Sequence, residues 1–320
     1  MSSHESDTYY HVPVLSDAVI QYLKCAPGKI FVDCTLGGAG HATQISRAIG
    51  PSGQLVAIDQ DISAINNARH LLDQQMMIIH DNFKNIRTIL ASLNIDVVDG
   101  IIADLGMSLF HIRQSGRGFS FMADEPLDMR MNTQNSKTAK DLLANLTEKK
   151  LSQLLWEYGE ERYSRQIASK IVRARKNYPI ETTTELCEII KNAIPIKMQN
   201  RQKIHPATRT FMALRMAVND ELECIQSFLN DALLCLKPGG RLCIISFHSL
   251  EDRMVKQHMR RWENPCCCPK DLPKCICGKK SMGKCIVRKG IVANDVEVSQ
   301  NPMARSARMR VFEKISLNLI

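Results

Sequence analysis

FVDCTLGGAGH, residues 31–41, runs from an apolar stretch through a glycine-rich turn into a polar segment with the character of a helix start. A strand that ends in glycines lets the backbone approach a ligand closely. QLVAID (54–59) reads as the next strand, and it ends on Asp59. An acidic side chain about twenty residues beyond such a loop is placed to accept hydrogen bonds from ribose hydroxyls. Together the features point to an adenosine-type ligand in a Rossmann-like site. The alternative is a plain glycine turn with an aspartate that caps a helix.

The glycine spacing discriminates between ligands. A dinucleotide site asks for G-x-G-x-x-G, and the match from Gly38 is G-A-G-H-A-T, with Thr43 in place of the third glycine. No Gly-Lys-Ser/Thr follows, so a P-loop is excluded as well. S-adenosylmethionine carries no phosphate. It needs close backbone at its amino-acid end, an acid for its ribose and an apolar slot for adenine. Asp33, Gly37 to His41, Asp59 and Phe83 supply these groups. A nicotinamide dehydrogenase stays open as a weaker alternative.

Outward from the loop, strand and helix patterns alternate. KIFVDCTL (29–36) is a buried strand, with a helix over about 41–49, a turn at GPSG (50–53) and helical character in ISAINNARHLLDQ. MMIIH (76–80) and VVDGIIADLG (97–106) supply a third and fourth strand. Short apolar runs between helices predict a parallel sheet covered on both faces. The next convincing strand is RLCIISF (241–247), and the chain between reads as helical. Thr147 caps LSQLLWEYG, which stops at Gly159. Thr182 and Glu185 form a capping-box pattern. Val218, Leu222, Ile225, Leu229, Ala232 and Leu236 recur at helical spacing and predict one amphipathic helix that ends at Lys237-Pro238-Gly239-Gly240. HSLEDRMVKQHMRRW is helical, and CIVRKGIVA and ARMRVFEKI supply two last strands. The expected fold is α/β, a Rossmann-like sheet interrupted by an all-helical domain. The expected boundaries are 1–110, an insertion at 111–212 for substrate recognition, and 213–320.

The chain has 320 residues, 44% of them apolar, and a formal net charge of +9, which favours an anionic partner, nucleic acid first. MSSHESDTYYH lacks the apolar core of a signal peptide, and no run reaches the ~18 apolar residues of a membrane span. The 12 cysteines are therefore expected in a reducing cytoplasm as thiols or metal ligands. Cys266-x-Cys268 and Cys275-x-Cys277 pair donors around a proline-bounded turn, a set that suits a structural zinc, with Cys267 and Cys285 spare. The alternative is a reduced loop without metal.

Longer motifs follow in one order: GRGFSF (116–121), PLDMRM (126–131), YGEER (158–162), HPATRTF (205–211), ALRMAVNDEL (213–222), PGGRL (238–242), ISFHSLEDR (245–253) and NPMARSARMR (301–310). From His11 to Arg310 the chain closely resembles the RsmH (MraW) family, bacterial methyltransferases that modify the N4 amine of a cytidine in 16S ribosomal RNA. The resemblance implies class I S-adenosylmethionine chemistry, with 16S ribosomal RNA or the small ribosomal subunit as partner, no membrane, and a homodimer as one assembly. Matched by motif, the donor contacts are Ala39, Gly40, His41, Asp59, Phe83, Asp104 and His111. The family usually has Gly at Ala39. DLGMSLFHIR (104–113) departs from its usual D-L-G-V-S-S-P-Q-L-D, with Leu109, Phe110, His111 and Arg113 at the changed positions.

Asp104 ends the fourth strand, and it is the candidate catalytic group. The competing role is to hold the donor's amino group. Arg117, Arg130, His205, Arg209 and Arg215 are candidate RNA contacts, with Phe119 or Phe121 to stack on a base. Structural salt bridges, with Asp128 and Glu221 as partners, are the other reading of these arginines. His248, Glu251, Asp252 and Arg253 are expected to wall the site. The rival functions are an inactive RNA-binding protein altered at 107–113 and a methyltransferase for DNA or protein.

Overall fold

The computed structural model describes residues 13–69, 76–113, 115–200, 204–269 and 276–316. The chain divides into two compact units, one of residues 1–106 with 225–320 and one of residues 107–224.

The first unit is built on β1 (Ile30–Asp33), β2 (Gln54–Asp59), β3 (Met76–His80), β4 (Val98–Asp104), β5 (Leu236–Ser246), β6 (Gly283–Cys285), β7 (Ile291–Val292) and β8 (Arg308–Lys314). The order is β3-β2-β1-β4-β5-β8-β6, and β7 also pairs with β8. β1 to β5 are parallel, and β8 runs antiparallel to β5, β6 and β7. Phe31, Leu55, Ala57, Ile102, Cys243, Ile245 and Val311 pack in one core. Their strand neighbours Val32, Val56, Ile58, Ile101, Ile244 and Phe312 are buried as well. Side chains alternate across a strand, so both faces of the sheet are covered.

Two expectations fail near β5. Residues 218–236 do not form one helix. A helix over Thr208–Val218 stops, Asp220 takes φ 48°, and a second helix runs over Glu221–Ala232. The Asn219 side chain accepts the Met131 N–H and donates to the Met129 carbonyl, which pins the break. Apolar spacing does not register such a turn, because it restarts almost in phase. Nor does Lys237-Pro238-Gly239-Gly240 end an element. β5 begins at Leu236, opposite Val98, and these residues form a register shift before Arg241 pairs with Gly100.

The second unit is helical around Leu143, Leu151, Leu155, Ile167, Ile171, Leu186, Ile190 and Leu214. Thr147 caps the helix Glu148–Gly159 by accepting the Lys150 N–H. Thr182 and Glu185 form the capping box of Thr183–Ala193. A Cβ on Gly159 would lie 2.7 Å from the Arg209 carbonyl oxygen, so glycine there lets the helices Glu148–Gly159 and Thr208–Val218 approach closely. This unit spans 107–224, against the 111–212 expected for the insertion. Asn219 and the Arg215–Glu221 pair tie residues beyond 212 to it.

A carboxylate and histidine cluster at the switch point of the sheet

β1 connects outward to β2 and β3, while β4 lies on its other side, so the strand order reverses between β1 and β4. Ligands of open parallel sheets bind beyond the carboxyl ends of the strands at such a point. Asp33 ends β1 and Asp104 ends β4 there. Thr35 joins the two strands, because its hydroxyl accepts the Asp104 N–H at 2.7 Å. Sequence reading missed Thr35. A lone threonine after a strand carries no signal.

The helix Gly40–Ile49 begins on Ala39, which sits in the left-handed region at φ 61°. Its second residue, His41, is buried, with Nε2 3.5 Å from Asp104 Oδ2. Both ring nitrogens, Asp104 Oδ1 and Asp33 Oδ2 are buried without a hydrogen-bond partner. Asp33 Oδ1 accepts the Thr35 N–H. Burial pushes the Asp33 carboxyl up to about 6, and His41 and the Thr35 amide offset part of that rise. Burial alone would lower the His41 pKa, but Asp104 and then Asp33 outweigh it and hold it above the usual value. Unsatisfied buried polar atoms on coupled titratable groups mark a place built for a polar ligand.

Asp59 is bound into the glycine loop. Its carboxylate accepts the Gly37 N–H and the Asp61 N–H, each at 2.8 Å. A carboxylate oxygen accepts more than one hydrogen bond, so ribose hydroxyls remain within its capacity. Gly40 answers a packing need: a Cβ there would lie 3.0 Å from Pro13. Phe83 opens a short 3-10 turn and packs edge-on against Phe228, with ring centroids 5.4 Å apart. Asn82 before it donates to Gln60 at 2.8 Å, which links the ends of β2 and β3. The unpartnered atoms and the apolar ring of Phe83 fit a ligand with ammonium, ribose and adenine parts.

His248 follows β5 and lies 3.1 Å from Glu251, whose carboxylate also accepts the Phe247 N–H. Asp252 takes Arg310 bidentately at 2.6 and 2.9 Å. These residues of the FHSLEDR and ARMR motifs hold one another.

His111 belongs to the second unit. It is buried on the helix Leu109–Arg113, beside the Ser108 hydroxyl at 3.1 Å and the Phe119 ring at 5.1 Å. Most of the candidate RNA arginines are structural. Arg130 chelates Asp128, and Arg215 chelates Glu221 with both side chains 9% exposed. Arg117 donates to the Arg130 and Met131 carbonyls. Phe119 is buried, which removes it as a stacking platform. Phe121 stacks on His205 at 4.5 Å. Arg209 is half-buried and makes no ion pair among the described residues.

The fold and the cluster define a Rossmann-like α/β protein with a buried carboxylate and histidine cluster at its switch point. The chain belongs to the MraW methylase family, whose model matches residues 8–315. It is 50% identical over 310 residues to the ribosomal RNA small subunit methyltransferase H of Desulforapulum autotrophicum, covering 96% of this chain and 99% of that protein. The protein of the same name from Desulfosudis oleivorans is 47% identical over 311 residues, 96% of this chain and 100% of that one. The one from Brevibacillus brevis is 45% identical over 311 residues, 96% and 99%.

Proposed function

We propose that the protein transfers a methyl group from S-adenosylmethionine to the N4 amine of a cytidine in 16S ribosomal RNA, in the cytoplasm. The cluster of buried, unpartnered polar atoms on Asp33, His41 and Asp104 carries this reading. Ala39, Gly40, His41, Asp59, Phe83 and Asp104 would hold the donor, and His111 is the further donor contact that the family motif suggests. When bound, the donor supplies a methyl group activated by its sulfonium. The cytosine amine is a weak nucleophile, because its lone pair is delocalised into the ring. Asp104 Oδ1 is buried and without a partner, so it is the candidate acceptor for an amine hydrogen. Accepting that bond turns the lone pair toward the methyl and balances developing positive charge. Alignment of the reacting groups contributes more, at best about 7–11 kcal/mol. His41, 3.5 Å from the other oxygen, holds the Asp104 carboxylate in place.

Small ribosomal subunits or their precursors, incubated with methyl-labelled donor, are expected to yield N4-methylcytidine in the digested RNA. Label in DNA or protein instead would favour the rival substrates. Tight donor binding without turnover would favour an inactive RNA-binding protein.

A structural zinc held by the cysteine loop is part of the proposal. The Sγ atoms of Cys266, Cys268 and Cys277 lie within 4.8 Å of one another, a thiolate set that suits zinc. Cys275, the other donor read from the sequence, lies outside the described residues. Elemental analysis should find zinc bound to the purified chain and lost from Cys266→Ser/Cys268→Ser, and a metal-free native chain would overturn it. The homodimer is tested by light scattering: a mass near twice 36.1 kDa supports it, and 36.1 kDa overturns it.

A further inference from the structure

A cavity of the sheet unit, about 410 Å³, lies between the helix Ser249–Glu263, β6 and β8. Lys256, Arg260, Arg261, Arg288 and Arg310 line it, against the single carboxylate of Glu263. Arg310 is engaged by Asp252 and donates to the Arg288 carbonyl, so it forms a fixed floor. Glu263 accepts the Cys285 N–H at 2.9 Å. Lys256, Arg260, Arg261 and Arg288 make no ion pair with a carboxylate among the described residues.

Such crowding needs a reason. Arg260 and Arg261 stand in the last turn of the helix, where the helix dipole favours cations. That covers neither Lys256, which repels Arg260 from one turn away, nor Arg288, which comes from another segment. Unneutralised cations that converge on a concavity attract a polyanion. Among the described residues no aromatic side chain lines the cavity, and its remaining wall includes Met259, Val287 and Val311. It therefore offers no aromatic platform for a base, and Arg260, Arg261 and Arg288 are exposed at the rim, where their charge can meet phosphates. Contacts of this kind position a nucleic acid through its phosphates without reading its sequence.

We propose that this cavity binds the phosphodiester backbone of the RNA substrate, away from the cluster that holds the methyl donor. The proposal rests on the RNA reading above. Its test is the salt dependence of binding to protein-free small-subunit ribosomal RNA by the full chain. Each phosphate neutralised contributes about 0.7–0.9 to the slope of log affinity against log salt. Arg260→Ala/Arg288→Ala should lower that slope by about 1.4–1.8, weaken binding at least several-fold, and leave donor affinity and melting temperature unchanged. Arg47→Ala/Arg87→Ala removes two exposed charges elsewhere on the same unit and should leave the slope near wild type. An unchanged slope in the cavity variant, or an equal fall in the control, would overturn the proposal while wild-type methylation still stands. A wild-type chain that methylates no RNA would overturn the underlying reading instead.

Discussion

Asp33 is fully buried with one carboxylate oxygen unpartnered, and it sets the pH behaviour of the ligand-free protein. Burial pushes its carboxyl up to about 6 in the folded chain, against about 3.9 for an unperturbed aspartate. The folded state therefore holds the proton more tightly than the unfolded state. The stability this contributes is present below about pH 4 and is lost as pH rises through about 6. His41 is also raised, so its contribution has the same sign and fades as pH climbs past 6.5. Denaturation should show the wild-type chain losing stability relative to Asp33→Asn across this range. Asp33→Asn should flatten the acidic limb and raise stability at pH 7 by on the order of 1–3 kcal/mol. A wild-type stability that rises relative to Asp33→Asn between pH 4 and 6 would contradict the cluster. Asp104→Asn separates the two roles of that residue. A catalytic acceptor predicts a fall in kcat of about 10²-fold or more with donor affinity nearly intact. A donor clamp predicts weaker donor binding with kcat nearly unchanged. Asp33, Asp59 and Asp104 were legible in the sequence because each ends an apolar run. The His41–Asp104 contact was not, because spacing along the chain does not show which loops the sheet order brings together. Arg130 and Arg215 show the limit from the other side: a cation in a motif reads alike whether it meets phosphate or a neighbouring carboxylate.

Local geometry decides what each element tolerates. Ala39 caps its helix in a conformation that glycine adopts freely. Ala39→Gly should stabilise the protein by about 0.5–1 kcal/mol, read from denaturant midpoints, and a loss would contradict the left-handed cap. In the helical unit, Arg215 and Glu221 are paired out of water at 2.7 and 2.8 Å. Removing one partner strands a buried charge, so Glu221→Ala should cost about 3–5 kcal/mol. A cost under 1 kcal/mol in equilibrium unfolding would mean that the pair is solvated. Caps were the most legible elements, because Thr147 and the Thr182–Glu185 box act through backbone groups within one turn. The break at Asn219 and the shift at Lys237–Gly240 were not legible. Asn219 is held by carbonyl and amide groups of residues 129 and 131, and the Lys237 stretch by its pairing with β4.

The whole chain joins a sheet unit that carries the carboxylate and histidine cluster to a helical unit formed from one continuous stretch. The interruption was legible because the strand signal lapses between Asp104 and Arg241 while helix caps continue. Among the described residues no helix is long and apolar enough to cross a membrane. The net charge of +9 favours an anionic partner such as RNA, and the proposed chemistry is assigned to the switch-point cluster. The most direct test is nucleoside mass spectrometry of 16S ribosomal RNA after small subunits are incubated with the wild-type chain and methyl-labelled S-adenosylmethionine. The expected result is label in N4-methylcytidine at one position, strongly reduced with Asp104→Ala. Label absent from every cytosine amine, or undiminished with Asp104→Ala, would contradict the assignment of this site.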